Sequence, residues 1–283
     1  MIKVENLQFK YPKSKTFAIK KIDFEIKKGE IFGFLGPSGA GKSTAQKILY
    51  KSFGDYTGKV EIEGRDLKEW DKSFFEKVGV SFELPNHYDR LSGRENLDLF
   101  ASFYKEKERK DINKLFQIVD LEDAIDRPVG EYSKGMKMRL NFIRAIQHDP
   151  DILFLDEPTT GLDPVNAQKI RQYILNLKKQ GKTIFITTHD MHTVDQICDR
   201  VGFIVEGELR IIETPENLKI QHGKKAVSVT LKNKETREFP LRSIGDNQDF
   251  LEFIKKGEVL HINTLDASLD EVFIKVTGKA LSV

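Results

Sequence analysis

The sequence of 283 residues predicts an α/β fold with a buried parallel sheet, and three observations predict it. Short, wholly apolar runs such as residues 152–155 are typical of strands that a parallel sheet buries on both faces. A glycine-rich loop at residues 36–43 joins another such run to a helical segment. The first 30 residues instead alternate apolar and polar side chains, which predicts antiparallel strands ahead of the parallel sheet.

The composition fits one large domain, with or without a small appendage. Apolar residues make up 39% of the chain, which is enough for a packed core. The formal charge of +2 gives no overall attraction to nucleic acid, and we expect no nucleic-acid partner. The single cysteine, Cys198, excludes an intrachain disulfide and a cysteine-based metal cluster. No apolar run approaches the about 18–20 residues that span a bilayer, so any membrane role is expected to come through a partner.

The first part of the chain alternates as strands do and then turns at Lys28-Gly29. The glycine-rich loop separates the last of these strands from a helix. Strands are predicted over residues 2–9, 19–26, 31–35 and 59–64, with a helix over residues 43–50.

Residues 84–147 form a helical insertion in this prediction. Ser92 and Glu95 have the spacing of a capping box and start a helix whose apolar face extends to Tyr104. A second amphipathic helix covers residues 111–119. Ser133 can cap a third helix that runs toward Gln147.

The parallel sheet continues after the insertion. An Asp163-Pro164 pair predicts the start of a helix that ends at Gly181. Residues 183–188 form the next buried strand, and residues 201–212 form a hairpin around Glu206-Gly207.

The pattern changes after Thr214-Pro215, and we predict a domain boundary there. The main domain spans residues 1–215, and residues 216–283 form a small α+β appendage. Short alternating strands at 227–231 and 259–262 precede a last helix that ends before Gly278.

The glycine-rich loop fits the phosphate-binding pattern G-x-x-x-x-G-K-[ST] at every fixed position. Backbone N–H groups of such a loop and the following helix N-terminus converge on one anion. Lys42 can reach the outer phosphates, and the Ser43 hydroxyl can ligate Mg²⁺. The predicted nucleotide-binding residues of this loop are Gly36, Pro37, Ser38, Gly39, Ala40, Gly41, Lys42, Ser43 and Thr44.

The strand at residues 152–155 delivers two carboxylates, Asp156 and Glu157, to the end where open α/β sheets bind ligands. Asp156 has the position of an aspartate that acts on Mg²⁺, and Glu157 is placed to polarise a water toward the γ-phosphate. His189 follows the next strand and can bond the γ-phosphate or the attacking water. A histidine satisfied by its neighbours at a strand end is the alternative.

Taken together, these motifs resemble those of an ABC-transporter ATPase subunit. The resemblance rests on the order and spacing of the phosphate loop, Tyr132-Ser133-Lys134-Gly135-Met136, the Asp156-Glu157 strand, Gly161-Leu162-Asp163 and Thr188-His189-Asp190. It covers residues 2–215. It implies a P-loop NTPase of ABC type with an N-terminal antiparallel β-subdomain, a helical insertion and a small C-terminal appendage.

The resemblance also implies roles for residues outside the phosphate loop. Ser133 and Gly135 match the family signature, which caps the γ-phosphate held by a second subunit. Lys134 and Met136 depart from that signature in a way that is similar to the drug- and antibiotic-export branch. The C-terminal run Ser268-Leu269-Asp270-Glu271-Val272-Phe273 is similar to that branch as well. Asp163 matches the aspartate that links the two sites across the dimer.

Two further positions carry open interpretations. Tyr11 matches the aromatic residue that stacks on adenine, and a tyrosine in a Tyr-Pro turn is the alternative. Glu83 stands where the family has a glutamine that touches Mg²⁺ and water. A carboxylate ligates a hard cation more strongly than an amide does, so we expect Glu83 to take the glutamine's place as a Mg²⁺ ligand beside Ser43 and Asp156.

The resemblance implies an ATP-hydrolysing subunit of an exporter, with ATP and Mg²⁺ as its ligands. Its expected partners are a second nucleotide-binding subunit, identical or not, and a separately encoded membrane permease that docks on residues 83–96. The chain is then expected in the cytoplasm, on the inner face of the membrane. A soluble ABC-type ATPase without a permease and a non-hydrolysing nucleotide switch are the alternatives.

Overall fold

The computed structural model describes residues 1–104 and 110–279. Within them the chain forms two compact units, one over residues 1–212 and one that begins at Glu213. No helix in the described ranges is both long and apolar enough to cross a membrane.

The first unit begins with strands on both sides of the glycine-rich loop. In chain order its elements are β1 (Ile2–Phe9), β2 (Ile19–Ile26), β3 (Ile31–Leu35), α1 (Lys42–Leu49), β4 (Thr57–Ile62) and β5 (Arg65–Asp66). The structure thus confirms the predicted strands and the helix after the loop, with shifts of one or two residues at some ends.

The central part of the same unit holds the helical insertion and the rest of the parallel sheet. Its elements are α2 (Phe74–Lys77), β6 (Val78–Ser81), α3 (Gly93–Ala101), α4 (Ile112–Ile118), α5 (Lys134–Ile146), β7 (Ile152–Asp156), α6 (Pro164–Lys179), β8 (Thr183–Thr188), α7 (Met191–Ile197), β9 (Arg200–Val205) and β10 (Glu208–Glu213).

Two sheets build the core of this unit. The N-terminal sheet has the order β2-β1-β4-β5 with antiparallel pairs, so that Val4 lies opposite Phe24 and Val60. The second sheet has the order β10-β9-β3-β8-β7-β6, and β9, β3, β8, β7 and β6 pair in parallel. The parallel pairing brings the carboxyl ends of β3, β6, β7 and β8 to one edge.

Aromatic side chains join the two sheets. Phe24 from β2 packs against Phe32 and Phe34 of β3 and against Phe185 of β8, with ring centroids 5.0–6.4 Å apart. Phe32, Phe34 and Phe185 are fully buried. Because such rings interdigitate at close-packed density, the two sheets hold each other at a fixed distance.

Side-chain caps start the helices of the insertion as predicted. Ser92 and Glu95 form a complete capping box at α3, Asp111 caps α4, and Ser133 caps α5. Tyr104, predicted on the face of the first helix, lies beyond its end at Ala101. Its ring stacks on His148 with a centroid distance of 3.7 Å. The packing partner of Tyr104 is therefore a residue distant in sequence and not a neighbour on the same helix.

The second unit is a three-stranded antiparallel sheet with helices. Its elements are α8 (Pro215–His222), β11 (Ala226–Leu231), β12 (Thr236–Pro240), α9 (Gln248–Lys255), β13 (Val259–Thr264) and α10 (Leu269–Thr277). The sheet order is β12-β11-β13, with Val227, Val229 and Phe253 in its core. The sequence patterns missed β12 because Phe239 is its one buried residue, which leaves no alternation to detect.

Close packing between β6 and α5 generates a test of this fold. A Cβ on Gly79 would lie 2.0 Å from the Ala145 carbonyl oxygen, so Gly79→Ala must displace backbone. We expect it to lower the free energy of unfolding by about 2 kcal/mol or more, measured by urea denaturation.

Gly54 provides the matched control, because a Cβ there meets nothing within 4 Å. Gly54→Ala should leave the unfolding midpoint unchanged or raise it slightly. Equal midpoints for the two variants would contradict the close contact of β6 with α5.

Candidate functional site

The glycine-rich loop passes so close to its neighbours that its glycines are required. A Cβ on Gly36 would lie 2.1 Å from the carbonyl oxygen of Ile204 on β9. A Cβ on Gly41 would lie 2.7 Å from the Ala18 carbonyl oxygen, and Gly41 has a φ of +107°. Only glycine fits both positions, because any other residue would push the loop away from the sheet.

The N-terminus of α1 faces this loop without a side chain to cap it. Gly41 is its N-cap, no side-chain hydrogen bond caps the helix, and its first turn carries no acidic residue. Its first N–H groups and the positive end of its dipole are therefore suited to an anion such as a phosphate.

Lys42 lies inside the loop. Its side chain is buried, and Nζ donates to the carbonyl oxygens of Gly36 at 2.6 Å and Pro37 at 3.1 Å. Burial lowers the pKa of Lys42, and the nearby carboxylates of Glu157 and Asp156 oppose that change. The Lys42 ammonium group thus lies between the phosphate loop and two acids, Asp156 and Glu157.

Asp156 ends β7 against Ser43 and the neighbouring strand. The Ser43 hydroxyl lies 3.4 Å from Asp156 Oδ1, and the Thr187 hydroxyl donates to the same oxygen. Thr187 Oγ1 also lies 3.0 Å from Gln46 Oε1. Burial raises the pKa of Asp156, the Thr187 hydrogen bond lowers it, and the charge of Glu83 raises it further.

Glu157 is the most firmly held carboxylate of the site. It is 5% exposed and has a φ of +49°. Oε2 accepts hydrogen bonds from the hydroxyls of Thr160 at 2.9 Å and Thr188 at 3.0 Å. Oε1 accepts the His189 backbone N–H at 3.1 Å and lies 2.7 Å from His189 Nδ1. These contacts fix the direction in which the carboxylate can act on a water.

One cleft of about 590 Å³ joins most of the predicted site. His189 is half exposed at its wall, and Glu83, which follows β6, lines it as well. Its lining residues are Tyr11, Ala18, Ser38, Gly39, Ala40, Gly41, Lys42, Ser43, Thr44, Glu83, Asp156, Glu157 and His189. Gly36 and Pro37 belong to the same loop and hold Lys42 through their carbonyl oxygens.

Tyr11 closes one side of the cleft. Its hydroxyl lies 2.9 Å from Thr44 Oγ1, and its ring meets Phe9 and Phe53 edge-on. With 39% of its surface exposed, Tyr11 keeps a ring surface for a flat ligand.

The predicted signature residues lie outside this cleft. Ser133 accepts the Met136 N–H at the start of α5, and the space beside Gly135 is bounded by the 161–162 loop. The side chain of Lys134 packs against Gly161. Asp163 caps α6 through the N–H groups of residues 165 and 166. None of Ser133, Lys134, Gly135, Met136 and Asp163 lines the cleft of its own chain.

Sequence reasoning missed Gln46, Thr160, Thr187 and Thr188. The two threonines at 187 and 188 end an otherwise apolar strand, β8, and are fully buried. Adjacent hydroxyls at the ligand end of a buried strand are the signal that would have found them.

The oxygen atoms of the cleft suit a hard divalent cation. Ser43, Asp156 and Glu83 supply a hydroxyl and two carboxylates, the ligand types that Mg²⁺ prefers. In the part of the chain that the structure describes, no cluster of three or more His, Cys, Asp or Glu side chains is arranged to hold a metal by itself. Mg²⁺ sites that include substrate phosphates commonly use one or two carboxylates of the protein.

Comparison with known sequences identifies the family. Residues 19–160 match the ABC transporter family. A fluoroquinolones export ATP-binding protein of Mycobacterium tuberculosis is 46% identical over 286 residues, which cover 100% of this chain and 95% of that protein. A bacitracin transport ATP-binding protein of Enterococcus faecalis is 31% identical and covers 98% of this chain and 96% of its own length.

Solved structures agree with the fold. The dimeric, post-hydrolysis structure of an ATP-binding cassette bound to ADP and Pi aligns with a TM-score of 0.69 and 26% identity, covering 76% of this chain and 98% of that chain. An ATP-binding subunit of an ABC transporter aligns with a TM-score of 0.71, covering 78% of this chain and 92% of its own. The predicted fold class is therefore confirmed, and the chain belongs to the ABC transporter family as an ATP-binding subunit with ATPase activity.

Proposed function

We propose that this chain powers a membrane exporter by hydrolysing ATP between two nucleotide-binding subunits. The main support for this proposal is that the predicted site residues lie in two separate places on the chain. The phosphate loop and the two acids share one cleft, whereas Ser133 and Gly135 lie outside that cleft at the start of α5. The N-terminal turn of a helix favours an anion, so we propose that Ser133 and Gly135 act on the ATP of a second subunit.

The residues of the cleft have different roles in ATP binding and hydrolysis. Backbone N–H groups of residues 36–44 and the Lys42 ammonium hold the phosphates, and Tyr11 stacks on the adenine. Glu157 accepts a proton from a water that attacks the γ-phosphorus in line, while the bond to the β–γ bridging oxygen breaks and ADP leaves. His189, held by Glu157, bonds the transferred phosphoryl group.

A divalent cation completes the charge balance. Ser43, Asp156 and Glu83 would hold Mg²⁺, which neutralises charge on the phosphates when it is bound. The signature residues Ser133, Lys134, Gly135 and Met136 of one subunit cap the ATP of the other, and Asp163 links the two sites.

Relatives support the export direction. The relative from Mycobacterium tuberculosis is named an export ATP-binding protein for fluoroquinolones. We propose that the partner is a separately encoded permease that docks on residues 83–96 and holds the chain at the inner face of the membrane. Residues 1–215 form the ATP-binding domain, and residues 216–283 form an accessory region.

The first test removes the proposed base. Glu157→Gln keeps the shape and most hydrogen bonds of the side chain but cannot take a proton from water. We expect ATP turnover to fall by about 100-fold or more, while ATP still binds and holds a dimer that light scattering detects.

Glu25→Gln is the matched control, since Glu25 is an exposed strand residue outside the cleft. It should turn over ATP normally and give no trapped dimer. A Glu157→Gln protein that stays monomeric at high protein and ATP concentrations would count against the two-subunit site.

The second test concerns Glu83, whose carboxylate stands where the family has a glutamine. Glu83→Gln restores the family's amide and removes a negative charge next to Asp156. We expect the Mg²⁺ concentration for half-maximal activity to rise by about threefold, with faster release of the pre-hydrolysis state. Steady-state rates across a Mg²⁺ titration measure the first effect. If neither Mg²⁺ dependence nor turnover changes, Glu83 is not a ligand.

The third test concerns the hydroxyl that holds Glu157. Thr188→Val preserves shape but removes the 3.0 Å hydrogen bond. We expect kcat to fall by about tenfold and KM for ATP to change by less than about twofold, because Thr188 orients Glu157 and not the nucleotide. Thr188→Ser should recover most of kcat. A loss of ATP affinity equal to the loss of kcat would show a general disturbance of the cleft instead.

A further inference from the structure

A chain of buried polar side chains connects the middle of α1 with Asp156. Gln46 of α1 is 1% exposed, and its side-chain amide lies 3.0 Å from Thr187 Oγ1 on β8. Thr187 is fully buried and donates to Asp156 Oδ1. Neither Gln46 nor Thr187 lines the nucleotide cleft, so neither touches a ligand there.

Helix α1 reaches Asp156 by two routes. Its first turn contributes the Ser43 hydroxyl, 3.4 Å from Asp156 Oδ1, and Gln46 lies three residues later on the same face of the helix. Both routes end at Oδ1. Asp156 Oδ2 accepts no hydrogen bond from residues 1–104 or 110–279, which leaves this oxygen for a cation or for a water on that cation.

The Thr187 hydroxyl has one hydrogen but two neighbours that can accept it. A hydroxyl donates once, and a hydrogen bond to a carboxylate is stronger than one to an amide oxygen. The hydrogen therefore belongs to Asp156. Thr187 Oγ1 can then bond Gln46 only as an acceptor, which requires the nitrogen of the Gln46 amide to face it.

The surroundings of Gln46 favour this orientation of its amide. With Oε1 toward Thr187, Nε2 is buried and has no hydrogen-bond partner in the part of the chain that the structure describes. A half-turn of the amide gives Nε2 the Thr187 oxygen as its acceptor. The turn leaves the amide oxygen unpaired instead, and buried carbonyl oxygens without a partner are less rare in proteins than buried N–H groups without one.

We propose that Gln46 is a positioning residue for the cation site. Its amide donates to Thr187 Oγ1, which keeps the single Thr187 hydrogen on Asp156 and fixes that carboxylate for Mg²⁺. The inference rests on the proposed function, since it assigns a role within the ATP site. Residues that hold a metal ligand from behind set its orientation and so the affinity for the metal. Gln46 lies outside the phosphate loop and acts on the cation only through Thr187.

The test measures nucleotide binding and not turnover. The full-length chain is titrated with a fluorescent, non-hydrolysable ATP analogue in Mg²⁺ and in EDTA, and the ratio of the two dissociation constants gives the contribution of Mg²⁺. Gln46→Met keeps the length of the side chain but removes its polar atoms. It should lower the ratio by about fivefold and change the affinity in EDTA by less than about twofold. Gln46→Leu, which has a different shape, should cause the same loss.

Gln147→Met is the matched control, because Gln147 is also a buried glutamine, 2% exposed, and lies outside the cleft. It should leave the ratio unchanged. Thr187→Val removes the hydroxyl and should lower the ratio at least as much as Gln46→Met does, and Thr187→Ser should restore most of it. Adding Gln46→Met to Thr187→Val should cause no further loss, because Gln46 acts only through that hydroxyl.

The outcomes separate this inference from the proposed function. An unchanged ratio in Gln46→Met and Gln46→Leu, or a further loss in the double variant, overturns the role of Gln46 and leaves the ATP site as proposed. Equal losses of affinity in Mg²⁺ and in EDTA would reveal a general effect on packing and would overturn it too. If Mg²⁺ does not tighten binding to the original chain, the cation site of the proposed function fails as well.

Discussion

The parallel pairing of β7 with β8 is the constraint on which the candidate site depends. It places Asp156 opposite Thr187, and the Glu157 N–H continues the ladder by donating to the Thr187 carbonyl oxygen at 2.9 Å. Two consecutive carboxylates thus meet two consecutive hydroxyls. A shift of one residue would turn these side chains to opposite faces of the sheet and separate each acid from its partner.

The phosphate loop is fixed to this sheet by close approach. Gly36 lies against the backbone of β9, and Gly41 against Ala18, at distances that exclude a side chain. The aromatic contacts of Phe24 with β3 and β8 hold the antiparallel sheet, and with it Tyr11, beside the same loop. Packing far from the chemistry therefore sets the dimensions of the cleft.

Helix α5 connects two regions of the first unit. Its N-terminus carries the signature residue Ser133, and its later turns hold the loop after β6 through Asn141 and Arg144. That loop places Glu83 in the wall of the cleft. These hydrogen bonds join α5 to the loop that follows β6.

Local sequence was enough to predict the strands and helices with strong periodicity, the helix caps and the phosphate loop, because each depends on neighbouring residues and local backbone geometry. It also placed Asp156, Glu157 and His189 in one site through strand order. The three-dimensional fold was needed to show that Thr188 holds Glu157 from 31 positions away and that, among the described residues, no carboxylate forms an ion pair with the buried Arg144. Only the tertiary structure gave Tyr104 its partner, His148. Such contacts join residues that are distant in sequence, and no local pattern encodes the spatial neighbour of a side chain.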